Sequence, residues 1–147
     1  MTTELLAPAG GREALVAAVQ SGADAVYMGF GAFNARRSAR NFSDEEFRAA
    51  VSYCHLRGVK VYLTLNTLVT DRELPLLADA ARVASECGVD AILVQDWGVL
   101  ATLQKIIPDV PLHASTQMSL HTLSGVKESA RLGMTRAVLA RELSRGE

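Results

Sequence analysis

Cysteine is scarce in this chain: two residues, Cys54 and Cys87, stand far apart among 147. That spacing excludes a disulfide framework and any C-x-x-C metal knuckle. Charge of one sign is also missing. A formal net charge of -1 and a pI near 6.3 give no global attraction to phosphate backbones or anionic membranes, so any nucleic-acid role has to rest on local features. No apolar run is long enough to span a bilayer. The N-terminus enters Glu4-Leu5-Leu6-Ala7-Pro8 without a basic region or a long apolar stretch, which implies a cytoplasmic location. What is present is apolar material, 49% of residues against 21% charged, which excludes disorder and supports a buried core. The length fits one domain, 1–147.

One phrase recurs four times: a glycine, a small or apolar residue, a polar residue, then an apolar run. It reads Gly22-Ala23-Asp24-Ala25-Val26-Tyr27-Met28, Gly58-Val59-Lys60-Val61-Tyr62-Leu63, Gly88-Val89-Asp90-Ala91-Ile92-Leu93-Val94 and Gly133-Met134-Thr135-Arg136-Ala137-Val138-Leu139. A glycine just past a helix takes the left-handed conformation that ends it, and an unbroken apolar run is a strand buried on both faces. Each phrase therefore marks a helix-to-strand joint. Pro108-Asp109-Val110-Pro111 marks a fifth, before Leu112 to Thr116, because proline stops a helix and permits an extended start. With an opening strand at Glu4 to Ala7, about six strands are predicted.

Helical spacing fills the intervals, as in Ala14, Leu15, Ala18, Val19 and in Phe47, Ala50, Val51, Cys54. Ser43-Asp44-Glu45-Glu46 and Thr70-Asp71-Arg72-Glu73 have the capping-box pattern that opens a helix. Further helices are predicted over 97–107 and 120–132. Strict alternation of strand and helix calls for a parallel sheet with right-handed crossovers. Length favours an open, flavodoxin-like sheet, since a complete (β/α)8 barrel takes about 250 residues. The placement of polar residues favours an incomplete TIM-barrel-like fold: Thr64 and Asn66, Gln95 and Asp96, and His113, Ser115 and Gln117 stand at the C-terminal ends of successive strands, where a barrel gathers its site.

Four ordered motifs, Glu4-Leu5-Leu6-Ala7-Pro8-Ala9-Gly10, Gly22 to Gly29, His113-Ala114-Ser115-Thr116-Gln117-Met118 and Leu139-Ala140-Arg141-Glu142-Leu143-Ser144, together resemble the peptidase U-32 family of bacterial collagenase-like proteins. The resemblance covers essentially the whole chain. It implies a TIM-barrel-like domain and a collagenase-like protease, a hydrolase of peptides. It implies also that several members hydroxylate tRNA, ribosomal RNA or quinones with an iron-sulfur cluster. In the family a cysteine-rich signature follows the stretch represented here by Arg141 to Ser144, and this chain has none. A [4Fe-4S] cluster takes about four thiolates, so no cofactor is expected in this chain alone, and a cluster in the full-length protein would use cysteines absent here. The expectation is that the natural protein continues past Glu147 and that this N-terminal part of the barrel is inactive by itself. Peptide hydrolysis is the first expected function. The alternatives are hydroxylation of RNA or a small molecule by the full-length protein, and a non-catalytic fragment that forms homo-oligomers through its two unclosed sheet edges.

The candidate residues follow from placement. His113 and Ser115 lie two apart on one strand and share a face, with Gln117 continuing the row. A hydrolase would use Ser115 as nucleophile, His113 as base and Asp96 as orienter. Neighbours at i and i+2 stand roughly 6 to 7 Å apart and project in parallel, which makes a direct hydrogen bond awkward. Glu142 is a candidate acid or base, and Arg141 an anion clamp or the partner of Glu142 in a salt bridge. Asn66, Gln95, Asp96 and Gln117 are expected to bind substrate. The segment from Phe30 to Phe42 combines Arg36, Arg37 and Arg40 with three phenylalanines, which suits an RNA or an anionic small molecule, or else a solvated loop whose rings pack under the rim.

Overall fold

A computed structural model describes residues 3–31, 33, 42–144 and 146. The elements alternate as predicted: β1 (Leu6–Pro8), α1 (Arg12–Gln20), β2 (Ala25–Gly29), α2 (Asp44–His55), β3 (Lys60–Leu65), α3 (Leu74–Glu86), β4 (Ala91–Val94), α4 (Trp97–Ile106), β5 (Leu112–Ala114), a 3₁₀ turn at Thr116–Met118, α5 (Leu123–Arg131) and β6 (Arg136–Ala137). All neighbouring strands pair in parallel and in sequence order, β1 to β6. That order removes the flavodoxin-like alternative, whose strand sequence reverses at a switch point. The sheet curls into an incomplete TIM-barrel-like half-barrel with helices outside it.

The glycine phrases work as joints. Gly22, Gly58, Gly88 and Gly133 have φ of 86°, 72°, 77° and 89°, the left-handed region that a helix ending needs. The polar residue that follows ties the joint to the preceding strand. Asp24 Oδ2 accepts from Leu5 N at 2.7 Å, Asp90 Oδ2 from Val61 N at 2.7 Å, and Thr135 Oγ1 donates to Leu112 O at 3.3 Å. β2, β4 and β6 thus enter the sheet in a register set by the joint before them.

Alternation then divides the strands into two faces. Outward residues such as Val26, Val61, Leu63, Ile92 and Val94 are fully buried against Leu15, Phe47, Val51, Leu77, Ala81 and Leu103 of the helices, each large side chain contributing roughly 1.5–3 kcal/mol. Inward residues form a second, smaller cluster of Ala25, Tyr62, Ala91 and Leu93 with Leu6, Tyr27 and Val138.

Three local expectations are corrected. Ser43 and Glu46 form the full capping box of α2, but Thr70 and Glu73 do not open α3 in that way. Thr70 N and Oγ1 both donate to the Glu73 carboxylate at 2.8 Å, a turn forms, and α3 starts three residues later than that cap would place it, with Pro75 in its first turn, where a missing N–H costs nothing. The helix predicted from Leu120 begins at Leu123, because the 3₁₀ turn and left-handed Ser119 intervene and Thr122 Oγ1 caps Gly125 N at 3.1 Å. Glu4 precedes β1 rather than opening it.

Candidate functional site at the barrel mouth

Inward side chains stack in layers from the N-terminal floor to the C-terminal mouth. The floor is a polar lock. Glu4 Oε1 accepts from Arg136 Nη1 at 2.6 Å and from Tyr62 Oη at 2.9 Å, while Lys60 Nζ reaches Oε2 at 3.2 Å. The Arg136 guanidinium is the main reason the Glu4 carboxyl falls from 4.5 to about 2, with Tyr62 and Lys60 adding to it against the cost of burial. One salt bridge therefore joins the two edges of the sheet, β1 and β6, across the interior. Lone charges do not sit in such a place; here three donors satisfy one carboxylate.

His113 belongs to this lower region. It is 6% exposed, its ring meets Tyr62 edge to face at 5.0 Å, and burial lowers it from 6.5 to about 4, with Arg136 adding to the shift.

One layer higher the interior opens into a cavity of about 530 Å³. Leu6, Pro8, Tyr27, Leu93, Val138 and Leu139 give it apolar walls; Thr64, Asn66, Ser115, Gln117 and Arg141 bring polar groups. Thr64 Oγ1 is spent on Met28 O at 3.1 Å. Ser115, 2% exposed, follows β5 and caps the 3₁₀ turn; its Oγ accepts from Asn66 Nδ2 at 3.1 Å and from Gln117 N at 3.3 Å. Volume, apolar walls and a few convergent polar groups are the attributes of a small-molecule site at the C-terminal face of a barrel.

Of the predicted site residues, the structure brings Asn66, Ser115, Gln117 and Arg141 to this cavity and leaves the others outside it. Gln95 is half-buried at the end of β4 without lining it. Asp96 caps α4, its Oδ1 accepting from Gly98 N at 2.7 Å and Val99 N at 3.0 Å. Its carboxylate thus serves the helix terminus rather than a histidine. His113 lies below, against Tyr62. Glu142 is exposed in the turn after β6, and among the described residues neither it nor Arg141 makes an ion pair. Arg36 and Arg37 lie outside the described residues. Phe30, Phe33 and Phe42 are buried, and Phe30 stacks on Phe47 at 4.8 Å, so these rings build the wall beneath the rim and are not surfaces for bases. Sequence reasoning missed the lock of Glu4, Tyr62 and Arg136. The signal was there: a carboxylate two residues before the first strand and an arginine inside the last.

The thiols do not make a metal centre. Cys54 is fully buried on α2, where burial pushes it up to about 11, and Cys87 ends α3. Among the described residues no group of three or more histidine, cysteine, aspartate or glutamate side chains could hold a metal ion, and no helix is long and apolar enough to cross a membrane.

Comparison with known proteins gives these features a setting. The model of peptidase family U32 matches residues 10–147. A 23S rRNA 5-hydroxycytidine C2501 synthase of Escherichia coli is 42% identical over 96% of this chain and 21% of its own length. A tRNA hydroxylation protein P1 of Bacillus subtilis is 38% identical over 96% of the chain and 33% of its own length, and a collagenase of Porphyromonas gingivalis 35% identical over 96% and 34%. The chain thus spans a fifth to a third of the curated relatives it matches. Among solved structures, the U32 peptidase Mk0906 superposes with a TM-score of 0.75 at 17% identity, covering 94% of this chain and 58% of that one, a likeness of fold.

Proposed function

The chain belongs to peptidase family U32, and from that premise we propose that it supplies the substrate-receiving half-barrel of an RNA hydroxylation protein. The names of its rRNA- and tRNA-modifying relatives support this reading over hydrolysis. The structural observation that carries it is the engagement of Ser115. A serine nucleophile needs a general base within about 2.6–3.2 Å of its hydroxyl. Here the hydroxyl oxygen receives two N–H groups instead, and the histidine on the same strand is buried one layer down, held neutral against Tyr62. This is the arrangement of a binding site.

Hydroxylation also requires a redox centre. Cys54 and Cys87 do not fit one, so in this reading a [4Fe-4S] cluster is held by residues outside this stretch, and the half-barrel only binds and orients the substrate. The collagenase relative makes peptide hydrolysis the second reading. One experiment separates them. The gene is deleted in its host, and nucleosides from digested rRNA and tRNA are compared by mass spectrometry. The expected result is one nucleoside lighter by a single oxygen atom, restored by complementation. Unchanged RNA, together with chelator-insensitive cleavage of gelatin by the purified full-length protein, would reverse the assignment.

A further inference from the structure

The cavity has a direction. At its inner end stands the Ser115 hydroxyl, buried, with both lone pairs filled by Asn66 Nδ2 and Gln117 N. A hydroxyl has one proton and two lone pairs, so the proton is what Ser115 has left to offer. The structure gives that proton no acceptor among the described residues. A buried donor without an acceptor costs about 1–3 kcal/mol, which an acceptor on a bound molecule recovers. The cavity walls are apolar where Leu6, Tyr27, Leu93 and Val138 line it. At the outer rim stands exposed Arg141, a fixed cation without an ion-pair partner among the described residues.

A buried donor, apolar walls and an exposed cation at the rim are complementary to a nucleotide that enters base first. Building on the reading above, we infer that the cavity takes a single nucleotide extruded from an RNA strand, its base edge accepting from Ser115 and its phosphate held at the rim by Arg141. Extrusion follows from the size: a concave pocket of about 530 Å³ in a half-barrel mouth admits one base and excludes a helix, and enzymes acting on a base take it out of the stack in this way. Asn66 is a positioning residue here, since its amide fixes the Ser115 rotamer and aims the proton.

The test is titration calorimetry of the full-length protein with three probes: cytidine 5′-monophosphate, cytidine and ribose 5-phosphate. The nucleotide is expected to bind more tightly than either part. Ser115→Ala should weaken cytidine 5′-monophosphate and cytidine alike, by about tenfold, the factor that a good hydrogen bond commands, and leave ribose 5-phosphate untouched. Arg141→Gln should weaken both phosphates and leave cytidine unchanged; Arg141 is exposed, so this variant is readable even where Ser115→Ala lowers stability. Ribose 5-phosphate binding as tightly as the nucleotide, or affinities insensitive to Ser115→Ala, would overturn the inference. Its failure is separable from that of the hydroxylation reading. Normal nucleotide binding with unchanged RNA after gene deletion would sink only the reaction, whereas lost RNA hydroxylation restored in full by a Ser115→Ala, Arg141→Gln gene would sink only the site.

Discussion

The floor lock makes a pH-dependent prediction whose size comes from the structure. Glu4→Gln keeps the shape of the side chain and removes the charge that Arg136, Tyr62 and Lys60 share. Lowering a carboxyl from 4.5 to about 2 corresponds at full strength to about 3 kcal/mol. The Glu4 side chain keeps a fifth of its surface in water and Lys60 half of its own, so screening reduces the expected value to about 1–2 kcal/mol. The sign follows from linkage. The folded state holds Glu4 more acidic than the unfolded chain does, so this stabilisation is complete above pH 4.5 and is lost as the pH falls toward 2. Urea unfolding of the wild type and Glu4→Gln between pH 7 and pH 2.5 should therefore give two curves separated by about 1–2 kcal/mol at neutral pH that converge in acid. A difference that stays constant across that range would refute the electrostatic account and leave only packing.

Two further predictions concern other layers. His113 should titrate near 4 in an NMR experiment on its ring protons, and because the unfolded chain takes up that proton from about 6.5, the protein should lose stability as the pH falls from 6.5 to 4; His113→Gln should flatten the curve in that window. Gly133→Ala should cost more than Gly22→Ala: both force a Cβ into the left-handed region at about 1 kcal/mol, but at Gly133 the new atom would also stand 2.8 Å from Gln104 Nε2, which donates to Leu132 O, whereas at Gly22 it meets open space. Thermal midpoints of the two variants check the ranking.

The architecture was legible because its signals are local. A left-handed glycine and an apolar run recur at four of the five joints, three of them with a polar latch, and strand order follows from short right-handed connections. The candidate site was legible only in part. Period-two alternation places His113 and Ser115 on one face, whereas Gln117, expected to continue that row, reaches the cavity from the 3₁₀ turn; alternation is also silent on depth, which separates a buried, neutral His113 from a mouth-lining Ser115. Asp96 carried a signal that pointed elsewhere: an acidic residue between a strand and an apolar helix start is first of all a cap. The phenylalanines of the β2–α2 connection have no periodicity to reveal their burial. The lock joins residues from opposite ends of the chain, and no window of sequence contains both.

The aspartate and threonine latches have a consequence for how the molecule comes into being. Because three of the joints fasten to the segment just before them and every strand pairs with its predecessor, the sheet is a row of nearest-neighbour couplings, like the modules of a solenoid. Such a row can grow in the order in which a ribosome releases it, every new unit finding its template already laid down. The Glu4–Arg136 pair adds a coupling outside that order: Tyr62 and Lys60 of β3 already hold Glu4, and Arg136 of the last strand joins them only when the row is complete. In hydrogen exchange the β2–β3–β4 centre should then close earliest, and the amides of β6, which pairs only with β5, should be among the last to gain protection.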